Sequence, residues 1–154
     1  MGNKNWEGNL RSYFDGLRVI DRCKFEAIEN FKQFCEFIAE PAFESLAEEL
    51  KSYGVKAGFK KSKENIISFK INFPRSRCDN FHYIISLPKN SVDMRLKLMI
   101  KGRRKKNSDL EERIEPFMKD IPTSSILKLD KEELIQDIIE HYKNFTYKAL
   151  TSPD

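Results

Sequence analysis

The chain has 154 residues, of which 40% are hydrophobic and 34% charged, and its formal net charge is +4. This length fits a single domain with a real core, and the lack of an apolar run of about 18 residues excludes a transmembrane helix. The first residues lack the apolar stretch of a secretory signal, and the three cysteines form no CxxC pair. Since both features are typical of proteins with free thiols in a reducing compartment, we expect a cytoplasmic protein.

Charge is distributed unevenly along the chain. Residues 21–50 carry three basic and eight acidic side chains, residues 51–106 carry sixteen and three, and residues 107–154 carry six and eleven. The basic block coincides with the strands predicted below, and the acidic blocks coincide mostly with predicted helices. The sequence therefore predicts a basic sheet beside acidic helices, and such a sheet favours an anionic partner.

The first 20 residues are predicted to be an N-terminal segment that is partly ordered at most, followed by a single α+β domain over 21–150. They lack sustained periodicity, although a short helix over 10–19 is compatible with them. Several apolar side chains of this segment could dock on the core: Trp6, Tyr13, Phe14, Leu17, Val19 and Ile20.

A long amphipathic helix is predicted over about 22–53. Its apolar residues recur at spacings of three or four and so share one face. They are Ala27, Phe31, Phe34, Ile38, Ala42, Leu46, Leu50 and Tyr53. Gly54 suits the left-handed position that closes a helix. Pro41 removes one backbone hydrogen bond, so we expect a kink or two abutting helices there. Cys35 fits the apolar pattern as a small buried residue rather than a nucleophile.

Four segments with alternating apolar and polar residues follow the helix. They cover 55–60, 66–73, 81–87 and 92–101. A period of two predicts strands with one buried face and one solvent-exposed face. The connecting segments are short and polar, as in hairpins, so we predict an antiparallel meander sheet.

The last third of the chain begins with a basic loop over 102–108. Residues 109–121 fit either a helix or a fifth edge strand around 111–118, because their apolar residues have helical spacing but Pro116 interrupts them. A C-terminal helix is predicted over about 131–148, after a start that resembles a capping box at Asp130 and Glu133. The predicted fold is a two-layer α+β domain in which both long helices cover one face of a four- to five-stranded sheet.

The sheet face opposite the helices is the predicted functional surface. We assign anion or nucleic-acid binding to the basic residues of this face and of the loop, because rows of cations neutralise phosphates and release counterions. These residues are Lys70, Arg95, Lys97, Lys101, Arg103, Arg104, Lys105 and Lys106. Lys56, Lys60, Ser68, Asn72, His82 and Ser86 are expected on the same face. His82 supplies the one ring among the outward positions, which argues against base stacking and leaves contact with the nucleic-acid backbone.

Three other interpretations compete with this one. Lysines on exposed strands also prevent edge-to-edge aggregation, so one interpretation is that the face is simply solvated. A protein partner or a second copy could cover it through Ile66, Ile84 and Met99. A small-molecule or enzyme pocket could instead lie between the long helix and the sheet, although inward phenylalanines usually fill such a core.

Motifs for catalysis are missing from the sequence. It contains no phosphate-binding glycine loop, no HExxH and no GxSxG, so we predict a non-enzymatic binding module with no catalytic residue, metal or cofactor assigned. Glu111, Glu112 and Glu115 form an acidic cluster that we interpret as a salt-linked surface. His141 lies towards the end of the last helix, where the helix dipole favours its protonated form.

Overall fold

A computed structural model of the chain describes residues 5–72, 79–103 and 109–151. A helical N-terminal part precedes five strands, and a second long helix ends the described chain. The elements are α1 (Asn5–Phe34), a π-helical turn (Cys35–Ala39), α2 (Glu40–Lys51), β1 (Ala57–Ser62), β2 (Ile66–Ile71), β3 (Asp79–Ser86), β4 (Lys97–Arg103), β5 (Glu111–Pro116), a 3-10 helix (Thr123–Lys128) and α3 (Lys131–Thr151). This arrangement confirms the predicted α+β class.

The long N-terminal helix contains a π-helical turn just before Pro41. The backbone N–H of Glu40 donates to the carbonyl of Cys35, five residues earlier, so the extra residue is absorbed where the proline ring would disturb a regular turn. Pro41 then occupies the first turn of α2, where a missing N–H costs little. Gly54 follows with a φ of +75°, as predicted. Cys35 is buried, and this burial raises the pKa of its thiol to about 12.

The helix begins at Asn5 rather than at residue 22. Its first buried side chain is Ala27, and the apolar residues before it are exposed, including Trp6 at 60% and Tyr13 at 61%. The expectation that this segment docks on the core is therefore wrong. A continuous α1 carries these residues away from the sheet, because a helix advances about 1.5 Å per residue.

The sheet is an antiparallel meander with the strand order β1-β2-β3-β4-β5, as predicted. The segment that fits both helix and strand forms β5, an edge strand that pairs with β4 and ends at Pro116, a position where proline is tolerated. Residues 92–96 are not part of β4, in contrast to the prediction. Lys97 is opposite Ser86 at the end of β3, so the preceding residues have no partner on β3, although the backbone N–H of Phe117 donates to the carbonyl of Leu96 at 3.0 Å. Met94 and Leu96 are nevertheless buried.

One face of the sheet packs on the helices and forms the core. The inward side chains of the central strands are almost fully buried: Ile67, Phe69, Ile71, Phe81, Tyr83, Ile85 and Leu98. The ring of Phe43 from α2 stacks on Phe69 with centroids 4.9 Å apart, and the ring of Phe145 from α3 lies 5.6 Å from Phe81. Among the described helices, none has the length and apolar character needed to cross a bilayer.

Candidate anion-binding face of the sheet

The antiparallel register places outward side chains in rows across the open face. One row, which we name the cationic row, contains Gly58, Lys70, His82, Lys101 and Glu112 from β1 to β5. Directly opposite residues in such a row have Cβ atoms about 4.5–5.5 Å apart. The two lysines therefore flank His82 on a short stretch of surface, with the one carboxylate of this row at the β5 edge.

The next row has a different character. It contains Lys60, Ser68, Ile84, Met99 and Ile114, again from β1 to β5. Its last three residues form an apolar row across β3, β4 and β5, and the side chain of Ile114 is 60% exposed. The open face is thus polar and basic over β1 and β2, and partly apolar towards β5.

A hollow lies in the basic part of the face, above Gly58. It has a volume of about 520 Å³, and a Cβ atom placed on Gly58 would meet no other group within 4 Å. Lys56, Lys60 and Lys70 line it. Ser68, Asn72 and His82 are further lining residues with polar side chains. Every charged side chain among the described residues of this lining is basic, so the hollow has the electrostatics of an anion site.

The structure brings some of the predicted site residues together and separates others. Lys70, Lys97 and Lys101 lie on outward positions of the open face, and Lys97 is about 13 Å along β4 from Lys101. Arg103 is half-buried at the end of β4 and has an interaction partner. Arg95 lies before β4, where its Nε is 3.1 Å from Asp93 Oδ2. The loop residues Arg104, Lys105 and Lys106 lie outside the described residues.

The hollow itself was not predicted from the sequence. Lys56 and Lys60 were expected on the open face, but they were not assigned to the site with Lys70. Gly58 was the feature of the sequence that could have indicated the hollow, because a glycine inside a strand often marks a place where another group approaches the backbone. Its importance depends on the register that sets it opposite Lys70, and alternation alone does not give that register.

A second polar cluster lies on the helix side of the sheet, between β5 and α3. The hydroxyl of the buried Tyr83 donates to Asp137 Oδ2 at 2.5 Å. His141 Nδ1 is 2.8 Å from the backbone oxygen of Asp137 and 3.4 Å from its carboxylate. His141 Nε2 is 2.7 Å from Glu115 Oε1. The imidazole thus lies between two carboxylates that come from different elements.

Hydrogen bonds within this cluster shift the pKa values of His141 and Asp137. The hydrogen bond with the Asp137 side chain raises the pKa of His141 to about 9, with Glu115 adding to the effect and burial opposing it. Burial alone would raise the pKa of Asp137, but hydrogen bonds from His141 and Tyr83 outweigh it and lower that pKa. At neutral pH His141 is therefore an imidazolium whose two N–H groups are both engaged. It clamps α3 onto β5 and is not available as a general base.

The acidic cluster of β5 is divided between the two faces of the sheet. Glu115 faces α3, whereas Glu112 is in the cationic row on the open face, because successive strand residues point to opposite sides. Across the described ranges, no group of three His, Cys, Asp or Glu side chains is arranged to hold a metal ion.

Comparison with known proteins gives no relative. No family model, no curated protein and no solved structure matches this chain.

Proposed function

We propose that the protein is a non-enzymatic binding module whose open sheet face binds the phosphate groups of a polyanion, such as a nucleic-acid backbone. The supporting observation is the hollow above Gly58. Lys56, Lys60 and Lys70 line it, and no acidic side chain is found among the described residues around it. A phosphate placed there would meet positive charge from three directions.

The surroundings of the hollow extend this surface. Ser68, Asn72 and His82 add polar groups that can hydrogen-bond to phosphate oxygens. Lys101 stands opposite His82 and continues the basic surface onto β4. Phosphate contacts carry no sequence information, and His82 is the one outward ring among the described residues that line the hollow, so we expect binding without sequence preference.

The test is binding of a fluorescently labelled single-stranded DNA and its duplex by anisotropy, over a series of salt concentrations. We expect weak binding at low ionic strength that falls steeply as salt rises, with a log–log slope of about −0.7 to −0.9 for each phosphate contacted. The double variant Lys60→Glu with Lys70→Glu should lower the affinity at least about tenfold, because it reverses two of the charges at the hollow.

The matched control reverses two lysines of the helices. Lys51 and Lys143 lie on α2 and α3, and each is paired with a glutamate three residues earlier. Lys51→Glu with Lys143→Glu changes the net charge by the same amount and should leave most of the affinity. Equal losses in the two double variants, or no binding by the unmodified protein at low ionic strength, would contradict the proposal.

A second candidate function is docking of a protein partner or a second copy on the apolar row. Ile84, Met99 and Ile114 are directly opposite one another on three neighbouring strands. Ile114→Lys separates the two functions. It should leave DNA binding intact or strengthen it if the hollow is the site, and it should abolish association if the apolar row is the interface, as measured by sedimentation velocity.

A further inference from the structure

The first half of α1 carries an apolar seam with coiled-coil spacing. Trp6, Leu10, Tyr13, Leu17 and Ile20 follow one another at intervals of four, three, four and three residues. We name these five residues the heptad seam. Alternating steps of four and three give the 3.5-residue repeat by which two helices pack along their length.

The heptad seam is exposed in the isolated chain. Its side chains are between 37% and 61% exposed, and the first buried residue of the helix is Ala27. The same spacing continues through Lys24 to Ala27, Phe31 and Phe34, which pack in the core of their own domain. One stripe therefore begins on a protruding helix and ends inside the fold. Only its second half is covered within the described residues.

The protruding part of the helix needs stabilisation from another surface. It contains Gly8 and Gly16, and each glycine within a helix costs about 1 kcal/mol relative to alanine. A Cβ atom at either position would meet no other group within 4 Å, so packing against the described residues does not require these glycines. Most helical stability comes from packing of an amphipathic face, and the described residues provide no such packing for this face.

We propose that the heptad seam pairs with the heptad seam of a second copy of this chain in a two-helix coiled coil. This interface is distinct from the anion-binding hollow and does not depend on it. Lys24 takes the next core position of the repeat, and its charge marks the end of the seam where α1 enters its own domain.

The area available suits a dimer. A fully buried aromatic side chain removes about 150–250 Å² from water, so the exposed parts of the seam together with the flanking Phe14 amount to about 600 Å² per helix. Two copies would bury about 1,200 Å² in total, which reaches the lower range of specific protein interfaces.

The charge of the segment favours a second copy over an anionic membrane. Residues 5–23 carry three acidic and three basic side chains, and Asp15 is within 4.0 Å of Arg18 on the same helix. Helices that lie on anionic membranes have a polar face rich in lysine and arginine, and this segment lacks such an excess. A neutral polar face also lets two copies approach without repulsion.

The test compares a seam variant with a variant beside the seam. Leu17→Asp places a charge in the seam, whereas Val19→Asp introduces the same group at an exposed position two residues away. In sedimentation velocity of the full chain, we expect the unmodified protein and Val19→Asp to form dimers at micromolar concentration. Leu17→Asp should raise the dissociation constant at least about tenfold. At protein concentrations below the dissociation constant, urea unfolding of the domain should be alike in all three, because both positions lie outside the core.

Trp6 supplies an independent signal because it is the single tryptophan of the chain and belongs to the heptad seam. Its emission should shift to longer wavelength when the dimer is diluted, and it should stay at long wavelength in Leu17→Asp. A monomer at every concentration, equal dissociation of the two variants, or an emission shift caused by vesicles with anionic lipid rather than by protein concentration would each overturn the proposal.

Discussion

Asp137 shows how one side chain can hold two layers of the protein together. It accepts a hydrogen bond from Tyr83 at the centre of the sheet and lies beside His141 on its own helix. His141 in turn reaches Glu115 on the edge strand. The charged imidazole thus links β3, β5 and α3, so the protonation state of one residue affects how the helix is attached to the sheet.

This linkage predicts that stability falls at alkaline pH. The ordinary pKa of histidine is 6.5 and that of His141 in the fold is about 9, so its contribution is complete below pH 6.5 and is lost as the pH rises through about 9. We expect the free energy of unfolding in urea to fall by about 3 kcal/mol over this range because of His141, since each pKa unit corresponds to about 1.4 kcal/mol. The difference between the unmodified protein and His141→Asn isolates this effect from the ionisation of Cys35. An unchanged pH dependence in the variant would contradict the assignment.

Gly102 lies at a position where even one added methyl group should destabilise the fold. A Cβ atom there would lie 2.6 Å from Cζ of Phe145 and 2.8 Å from the backbone oxygen of Asn80. We expect Gly102→Ala to lower the free energy of unfolding by about 1–3 kcal/mol, since the backbone oxygen cannot move aside. Gly58→Ala is the matched control on the same sheet and should be neutral or slightly stabilising in urea denaturation. Equal stabilities of the two variants would show that α3 does not approach β4 this closely.

At the scale of elements, α3 begins at a defined capping residue. The backbone N–H of Glu132 donates to Asp130 Oδ1 at 3.2 Å, and the N–H of Glu133 donates to the backbone oxygen of Asp130 at 3.0 Å. The side-chain bond satisfies a donor that the first turn otherwise leaves without a partner.

Loss of this cap should destabilise the fold by a measurable amount. We expect Asp130→Ala to lower the free energy of unfolding by about 0.5–2 kcal/mol, while Asp130→Asn keeps most of the stability because its amide oxygen can accept the same bond. Thermal unfolding followed by circular dichroism measures both variants. Similar losses in Asp130→Asn and Asp130→Ala would mean that the negative charge, rather than the hydrogen bond, is what matters.

Some sequence patterns predicted the observed helices and strands, and others did not. Alternation identified the central strands because one side of each is buried, but it did not reveal that Met94 and Leu96 are buried outside the strands. Alternation reports burial and not hydrogen bonding.

The start of α1 was misplaced because Gly8 and Gly16 weaken the helical signal, although the spacing from Trp6 onwards was already that of a helix. The partnership of His141 with Glu115 joins residues far apart in the chain, and no local pattern encodes it.

Charged residues are distributed unevenly between the two sides of the sheet. The outward lysines of β1, β2 and β4 lie on one side, and the acidic residues of α2 are exposed on the other layer, among them Glu44, Glu48 and Glu49. Composition and alternation predicted that Lys70, Lys97 and Lys101 share a face. They could not predict the hollow, because its shape depends on which residues the register sets side by side.

The order of the strands also bears on how the chain reaches its structure. Each strand pairs with the strand that precedes or follows it in the sequence, and the connections between paired strands span three to ten residues. Closing a short loop costs little conformational entropy, and chains dominated by nearby pairings cross their folding barrier quickly. A nascent chain can therefore add one hairpin at a time during synthesis, and α3, which follows the strands in the sequence, then completes the cover of the sheet.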